Sequence, residues 1–349
     1  MKSESAGKKS DLSFSRTGEF DLIRRLLRGK SDADDEWLTG PGVVIASGDD
    51  ASGLRVHRQN DDLLLQTTDL LVEEVHFKKD WGTAYQLGWK SLAVNLSDIA
   101  AMGGRPLHTH LNLAIPERWT EPEIMELRRG FRDLAARYGI VLLGGDLSAS
   151  PASLMISVMV NGTVSAPQVL RRRGAREGDV IWVSGCLGDA AGGLSLLKAN
   201  AVQPAELLQA FLQPMPEVEL GIFCAQSGLV RALIDLSDGL AGDLGHVLEM
   251  SGVGAEIEEE KLPISAALRS AAPQQDRDLL EMVLRGGEDY RLLGCTPANV
   301  FESFKAAVQM RLSRSIYAIG KIRREPGLLL RRSDGKFIEI PFRSYDHFA

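Results

Sequence analysis

The stretch Leu233–His246, LIDLSDGLAGDLGH, sets Asp235, Asp238 and Asp243 among apolar residues and glycines. Residues 232–235, ALID, read as a short apolar strand, and the run after Ser237 reads as a helix with Ser237 at its N-cap and Asp238 in its first turn. An acid at a strand end that opens into a glycine loop is where α/β proteins place their chemistry. The pattern recurs: VVIASGDD carries Asp49 and Asp50, LLLQTTDLL carries Asp69 after Thr67 and Thr68, and VLLGGD carries Asp146. NLSDIAA at 95–101 resembles DLSDGLA at 235–241, so each half of the chain offers a similar acid-bearing element.

Helices and strands alternate around these acids. In YQLGWKSLAVNLSDIAAMGG, Leu92, Leu96 and Ile99 form an apolar stripe at helical spacing, and Gly103 and Gly104 end the helix. A second helix opens on a Thr120–Glu123 capping box with Pro122 in the first turn, buries Ile124, Leu127, Phe131 and Leu134, and closes at Gly139. IVLL then reads as a short buried strand, and SLMISVMVNGTV as another. VLRRRGAREGD reads as a linker, after which DVIWVSG starts a new strand that runs through GCLGDAAGGLSLLK into a helix. The expected organisation is an extension over residues 1–15, a metal- and nucleotide-binding domain over 16–167 and an α+β domain over 168–349; both halves are of α/β or α+β class.

Composition excludes several classes. The chain has 349 residues, 44% hydrophobic, with a net charge of −7. Two domains are the natural prior at that length, and the acidity argues against a nucleic-acid surface. The three cysteines, Cys186, Cys224 and Cys295, are widely spaced and form no CxxC, which fits a reducing compartment and no zinc site. No apolar run reaches the ~20 residues of a membrane helix, and the first residues lack the apolar core of a secretory signal. The expected location is the cytoplasm.

Any single Asp beside a glycine is by default a turn residue. The repetition in apolar company weakens that reading, because buried carboxylates are costly without a cation. Asp98 adds to this: it sits in the last turns of a helix, where the macrodipole disfavours an anion. Oxygen donors with no Cys or His cluster point to Mg²⁺, which commonly bridges carboxylates to phosphates. Gly145, Gly185, Gly188 and Gly239 would let backbone N–H groups approach an anion. Known nucleotide motifs are missing: GKS at 29–31 has Arg24 where a P-loop needs glycine, and no spaced GxGxxG or kinase motif set occurs. An EF-hand loop is also lacking, which counts against a plain Ca²⁺ module. His108, His110 and Tyr138 read as strand and core residues.

The ordered blocks GDDAS, TTDLLVEEVHF, KSLAVNLSDIAAMGGRP, LLGGD, VSGCLGDAAGGL, IDLSDGLAGDLGH, GGEDYRLL and YDHF resemble those of the thiamine-monophosphate kinases, in the superfamily of aminoimidazole ribonucleotide synthetase. The resemblance runs from Gly18 to Phe348. It implies a two-domain aminoimidazole ribonucleotide synthetase-like fold and a homodimer joined through the N-terminal sheets. It also implies transfer of the γ-phosphoryl group of ATP onto thiamine monophosphate, assisted by several Mg²⁺ ions. By motif, Asp50, Thr67, Thr68, Asp69, Asp98, Asp146, Asp235 and Asp238 would be metal ligands, with Asp50, Asp98, Asp146 and Asp235 central to catalysis. Gly145, Asp146, Arg172 and Ser237 would contact ATP, with Arg171 and Arg173 flanking Arg172 as alternatives. His76, Glu288 and Tyr345 would contact the substrate. Asp243 is expected to be structural. The alternative is another ATP-dependent enzyme of the same superfamily. The small-molecule substrates leave no role for nucleic acid or membrane.

Overall fold

A computed structural model describes residues 43–45, 49–55, 61–274 and 278–342. The expected extension over residues 1–15 and the expected substrate residue Tyr345 lie outside the described residues.

The first sheet contains β1 (Val43–Ile45), β2 (Ser52–Arg55), β3 (Asp62–Val72), β4 (Arg105–Pro116), β5 (Val141–Gly144), β6 (Leu147–Ser150) and β7 (Met155–Ser165). Its order is β1-β2-β3-β7-β4-β5, with β6 also on β4. β3 and β7 pair antiparallel over their full lengths, from Asp62 opposite Ser165 to Val72 opposite Met155. Period-two alternation turns Leu63, Leu65 and Thr67 inward and Gln66 and Thr68 toward the other face. Thr67, Thr68 and Asp69 therefore lie within a long strand, not after its end.

Two helices cover this sheet. α1 (Ala84–Ala101) starts at a Thr83–Gln86 capping box, and α2 (Glu121–Tyr138) has the Thr120–Glu123 box and ends at left-handed Gly139. They cross in close contact: a Cβ on Gly88 would lie 1.8 Å from the Leu127 carbonyl oxygen, and one on Gly130 equally close to that of Tyr85. α1 is buried on almost every side, because it touches β3, β7 and α2, and also β9 (Ala232–Asp235) of the second sheet. The IVLL segment departs from expectation. It forms β5, but Val141, Leu142 and Leu143 are exposed, since the strand pairs only with β4 among the described residues.

The second sheet adds β8 (Asp179–Val183), β10 (Gly254–Glu258), β11 (Leu292–Pro297), β12 (Tyr317–Arg323), β13 (Gly327–Arg331) and β14 (Phe337–Ile340), in the order β14-β13-β10-β12-β8-β11-β9. Its pairings are antiparallel except β10 with β13. The helices α3 (Asp189–Lys198), α4 (Ala205–Leu212), α5 (Val218–Ser227), α6 (Leu240–Ser251), α7 (Ala266–Gln274), α8 (Leu279–Arg285) and α9 (Ala298–Leu312) complete the α+β pattern. The core around α1 continues through Trp182, Leu233 and Leu292 of the second sheet. That continuity seats the end of β9 against α1.

Candidate functional site

The short strand β9 is buried throughout and delivers Asp235 at its last position. There the carboxylate meets α1: the Ser97 hydroxyl donates to Asp235 Oδ2 at 2.6 Å. Asp98, the next residue on α1, accepts from the Thr67 hydroxyl of β3 at 2.5 Å. Asp50 has a completely buried side chain, and its Oδ1 accepts from Arg172 Nε at 3.2 Å and from a terminal guanidinium nitrogen at 2.7 Å. The Arg172 backbone N–H is taken by Asp49 at 3.0 Å. Of the three consecutive arginines, Arg172 is thus the one held at the acids.

Asp50, Asp98 and Asp235 each bring an oxygen within 4.8 Å of the others. Burial, more than any other cause, raises the pKa of all three; repulsion from Asp235 and Asp50 adds to it at Asp98, repulsion from Asp50 adds at Asp235, and repulsion from Asp49 adds at Asp50. At an effective dielectric constant near 20, each such pair of charges repels by about 3 kcal/mol. Asp69 belongs to the same neighbourhood: its charge is the largest Coulombic contribution raising Asp98, and burial pushes its own carboxyl up to about 6. Arg172 opposes the pile-up at Asp50, and its own pKa is raised in return.

Other expected residues stand elsewhere. The Thr68 hydroxyl, on the opposite face of β3, donates to the Val158 carbonyl at 3.0 Å. Asp146 is exposed between β5 and β6, where its carboxylate accepts the Leu147 N–H at 3.0 Å and its own N–H donates to Asn112. It is not part of the close acidic triad. Gly145 lies close against β4: a Cβ there would sit 1.7 Å from the Leu111 carbonyl oxygen. His76 Nδ1 accepts the Val72 N–H at 3.0 Å, closing the turn after β3. Tyr138 donates to the Pro216 carbonyl at 3.1 Å.

The glycine turns already have their anions. Asp243, buried in the first turn of α6, accepts the N–H groups of Asp238 and Gly239, each at 3.1 Å. Gly239, not Ser237, is the N-cap of that helix. Asp289 accepts from Gly188 at 2.6 Å and from Ala190 at 3.1 Å at the start of α3, and burial still lifts its carboxyl to about 7. The two turns expected to cradle an external anion through Gly188 and Gly239 are therefore capped by the chain's own carboxylates.

The GGEDY segment is zipped to LSD beyond the strand ends. Glu288 N–H donates to the Ser237 carbonyl at 2.7 Å, Tyr290 N–H to Leu236 at 2.8 Å and Leu236 N–H to Arg291 at 2.7 Å. The fit forces Glu288 and Tyr290 into left-handed φ of 71° and 48°, conformations that cost energy and concentrate at functional sites. Tyr290 is buried, and the charges of Glu288, Asp69, Asp235 and Asp98 add to burial in raising its pKa. Glu288 pairs with Lys90 Nζ at 2.8 Å. Lys90 and Ser97 were not legible as site residues. The available signal was a polar stripe on an otherwise apolar helix, with Ser91, Asn95 and Asp98 at i, i+4 and i+7 and Lys90 seven residues before Ser97.

The AIR synthase related protein N-terminal domain model matches residues 48–164, and the corresponding C-terminal domain model matches 176–331. The chain is 32% identical to the thiamine-monophosphate kinase of Bacillus subtilis over 339 residues, covering 95% of this chain and 99% of that protein. It is 36% identical to that of Haemophilus influenzae over 345 residues, covering 95% and 98%. This chain belongs to the thiamine-monophosphate kinase family. Membership makes it an enzyme of the thiamine-phosphate kinase class. Among solved thiamine-monophosphate kinases, that of Stenotrophomonas maltophilia superposes with a TM-score of 0.73 at 36% identity, covering 88% of this chain and 97% of that one. The structure of AaThiL complexed with AMPPCP and TMP superposes with a TM-score of 0.79 at 30% identity, covering 98% of this chain and all of that one.

Proposed function

We propose that the enzyme transfers the γ-phosphoryl group of ATP directly onto the phosphate of thiamine monophosphate, giving thiamine diphosphate and ADP. The observation that carries this reading is the meeting of Asp50, Asp98 and Asp235, remote in sequence, within 4.8 Å. Three features fit a divalent cation there. The donors are hard oxygens; one oxygen of Asp50, Oδ2, is buried with no hydrogen-bond donor among the described residues; and the single guanidinium of Arg172 cannot balance the carboxylates. Asp50, Asp98 and Asp235 would hold Mg²⁺, with Asp69 beside them. A cation held there would supply positive charge against the phosphates of donor and acceptor.

The protein's part is to keep its ligands in place. Thr67 fixes Asp98, Ser97 fixes Asp235 across the two sheets, and Arg172 clamps Asp50. A phosphomonoester has its second pKa near ~6, so the acceptor is mostly deprotonated at neutral pH and needs no general base. No phospho-enzyme is required.

Homodimerisation through the first sheet belongs to the same reading. Val141 at 54%, Leu143 at 56% and Leu147 at 69% exposure leave an apolar sheet edge that a second copy would cover. A division near residue 167 is supported by the passage from β7, ending at Ser165, to β8, beginning at Asp179. The free thiols of Cys186, Cys224 and Cys295 suit the reducing cytoplasm.

The test is direct. The protein is incubated with ATP and thiamine monophosphate, with and without Mg²⁺, and thiamine diphosphate is measured by chromatography alongside ADP release. Mg²⁺-dependent formation of both in equal amounts is expected. ADP release with no thiamine diphosphate would refute the assignment.

A further inference from the structure

The GGEDY segment ties two helices together through neighbouring carboxylates that face opposite ways. Asp289 reaches back to the start of α3, where Oδ2 accepts the Gly188 N–H at 2.6 Å and Oδ1 the Ala190 N–H at 3.1 Å. Glu288 reaches across to α1, the helix of Ser97 and Asp98, where its Oε1 stands 2.8 Å from Lys90 Nζ. We propose that Asp289 is a positioning residue for phosphoryl transfer: it anchors the segment to α3 and so holds the Glu288 carboxylate against α1. Its bearing on catalysis rests on the function proposed above.

The backbone needs such an anchor. Glu288 and Tyr290, on either side of Asp289, hold left-handed φ of 71° and 48°. Non-glycine residues keep that conformation only where their surroundings over-determine it. The two preceding glycines have no slack to share: a Cβ on Gly286 would lie 2.2 Å from the Met282 carbonyl oxygen, and one on Gly287 2.5 Å from that of Ser237. Backbone bonds from Glu288 to Ser237 and from Tyr290 to Leu236 hold the flanks. Between those flanks, the Asp289 carboxylate adds two bonds to a helix start, and a charged acceptor there makes stronger bonds than a neutral one. Without them Glu288 can relax toward ordinary φ, which turns its side chain away from α1.

The anchor also carries its own reporter. Burial lifts the Asp289 carboxyl to about 7, Asp189 at the start of α3 adds to the rise, and Arg291 opposes it. Asp189 in turn accepts the Ser265 hydroxyl at 2.6 Å, and Arg291 is engaged by Glu217 at 2.9 Å. The Cys186 thiol, in the turn before Gly188, feels both Asp189 and Asp289. Each oxygen of Asp289 already accepts an amide, so a proton taken up as pH falls through about 7 competes with one of the two bonds.

The experiment is a double-mutant cycle on the formation of thiamine diphosphate, with Asp289→Ala, Glu288→Gln and both together. We expect kcat/KM to fall about tenfold or more in each single variant, as the loss of charge-assisted hydrogen bonds implies. The double variant should be no worse than the poorer single one, because Asp289 acts through Glu288. Losses that multiply overturn the proposal, and so does an Asp289→Ala enzyme with the activity of the wild type. Should Asp289→Ala fail to fold, amide NMR of the wild type between pH 5 and pH 9 decides. The Gly188 and Glu288 amide signals should then move with one midpoint near 7, and Asp289→Asn should abolish that shared step. Movement at Gly188 with none at Glu288 overturns the proposal. A wild type that shows the shared midpoint but forms no thiamine diphosphate would leave the anchor standing and refute the proposed function instead.

Discussion

Replacing Asp98 by Asn should stabilise the metal-free protein while it abolishes phosphoryl transfer. Asp98 lies within 4.8 Å of both Asp50 and Asp235 and also feels Asp69. Neutralising it removes at least two repulsions of about 3 kcal/mol each at an effective dielectric constant near 20, or under 1 kcal/mol each if water reaches the site. The amide still offers an oxygen to the Thr67 hydroxyl, so the net gain should be about 1–3 kcal/mol at pH 8. The pH dependence has a definite sign. Asp69, Asp98 and Asp235 have folded pKa values above the ordinary carboxylate value of 3.8, so the folded protein holds more protons than the unfolded one. Their contribution is complete below pH 4 and is lost as pH rises, through about 6 for Asp69 and through the raised values that burial gives the other two. The metal-free wild type should therefore gain stability from pH 8 down to pH 5, and Asp98→Asn should gain less. The assay is urea denaturation across that range in chelator, repeated with Mg²⁺, which should stabilise the wild type and hardly affect the variant. A variant less stable than wild type at pH 8 in chelator, with an undiminished response to Mg²⁺, would refute the placement of a repulsive, cation-binding cluster at these residues.

Arg172→Met leaves Asp50 buried beside its acidic neighbours without the guanidinium. We expect a loss of about 3 kcal/mol in metal-free stability by denaturant titration, the usual cost of breaking a buried pair, and a smaller loss for Arg172→Lys. Gly145→Ala forces a Cβ to within 1.7 Å of the Leu111 carbonyl, so the β5–β6 connection must move, at a cost of about 1–3 kcal/mol or more in thermal unfolding. Leu143→Arg combined with Leu147→Arg puts charge on the exposed apolar edge, and light scattering should report monomer mass where the unsubstituted protein reports a dimer.

Much of the architecture was legible because it is local. The Thr120–Glu123 box and left-handed Gly139 set the ends of α2 through contacts only a few residues apart. The apolar stripe of α1 likewise marked Leu92, Leu96 and Ile99, all fully buried. The acids stood out in sequence because a carboxylate in apolar company is physically expensive. The same local logic misread β5 as buried, since an apolar strand on an edge has the same pattern as one in the interior.

Sequence alone thus determined the elements, their caps and a set of candidate acids. Only the tertiary structure sorted those acids by place. It gathers Asp50, Asp98 and Asp235, leaves Asp146 exposed, and turns Asp243 and Asp289 into caps for glycine turns that would otherwise invite an external anion. It separates Thr67 from Thr68 by the pleat and draws Lys90 inward to Glu288. The reason is physical: caps and periodicity depend on neighbours along the chain, whereas burial, repulsion and ion pairing depend on which distant segments the core brings together.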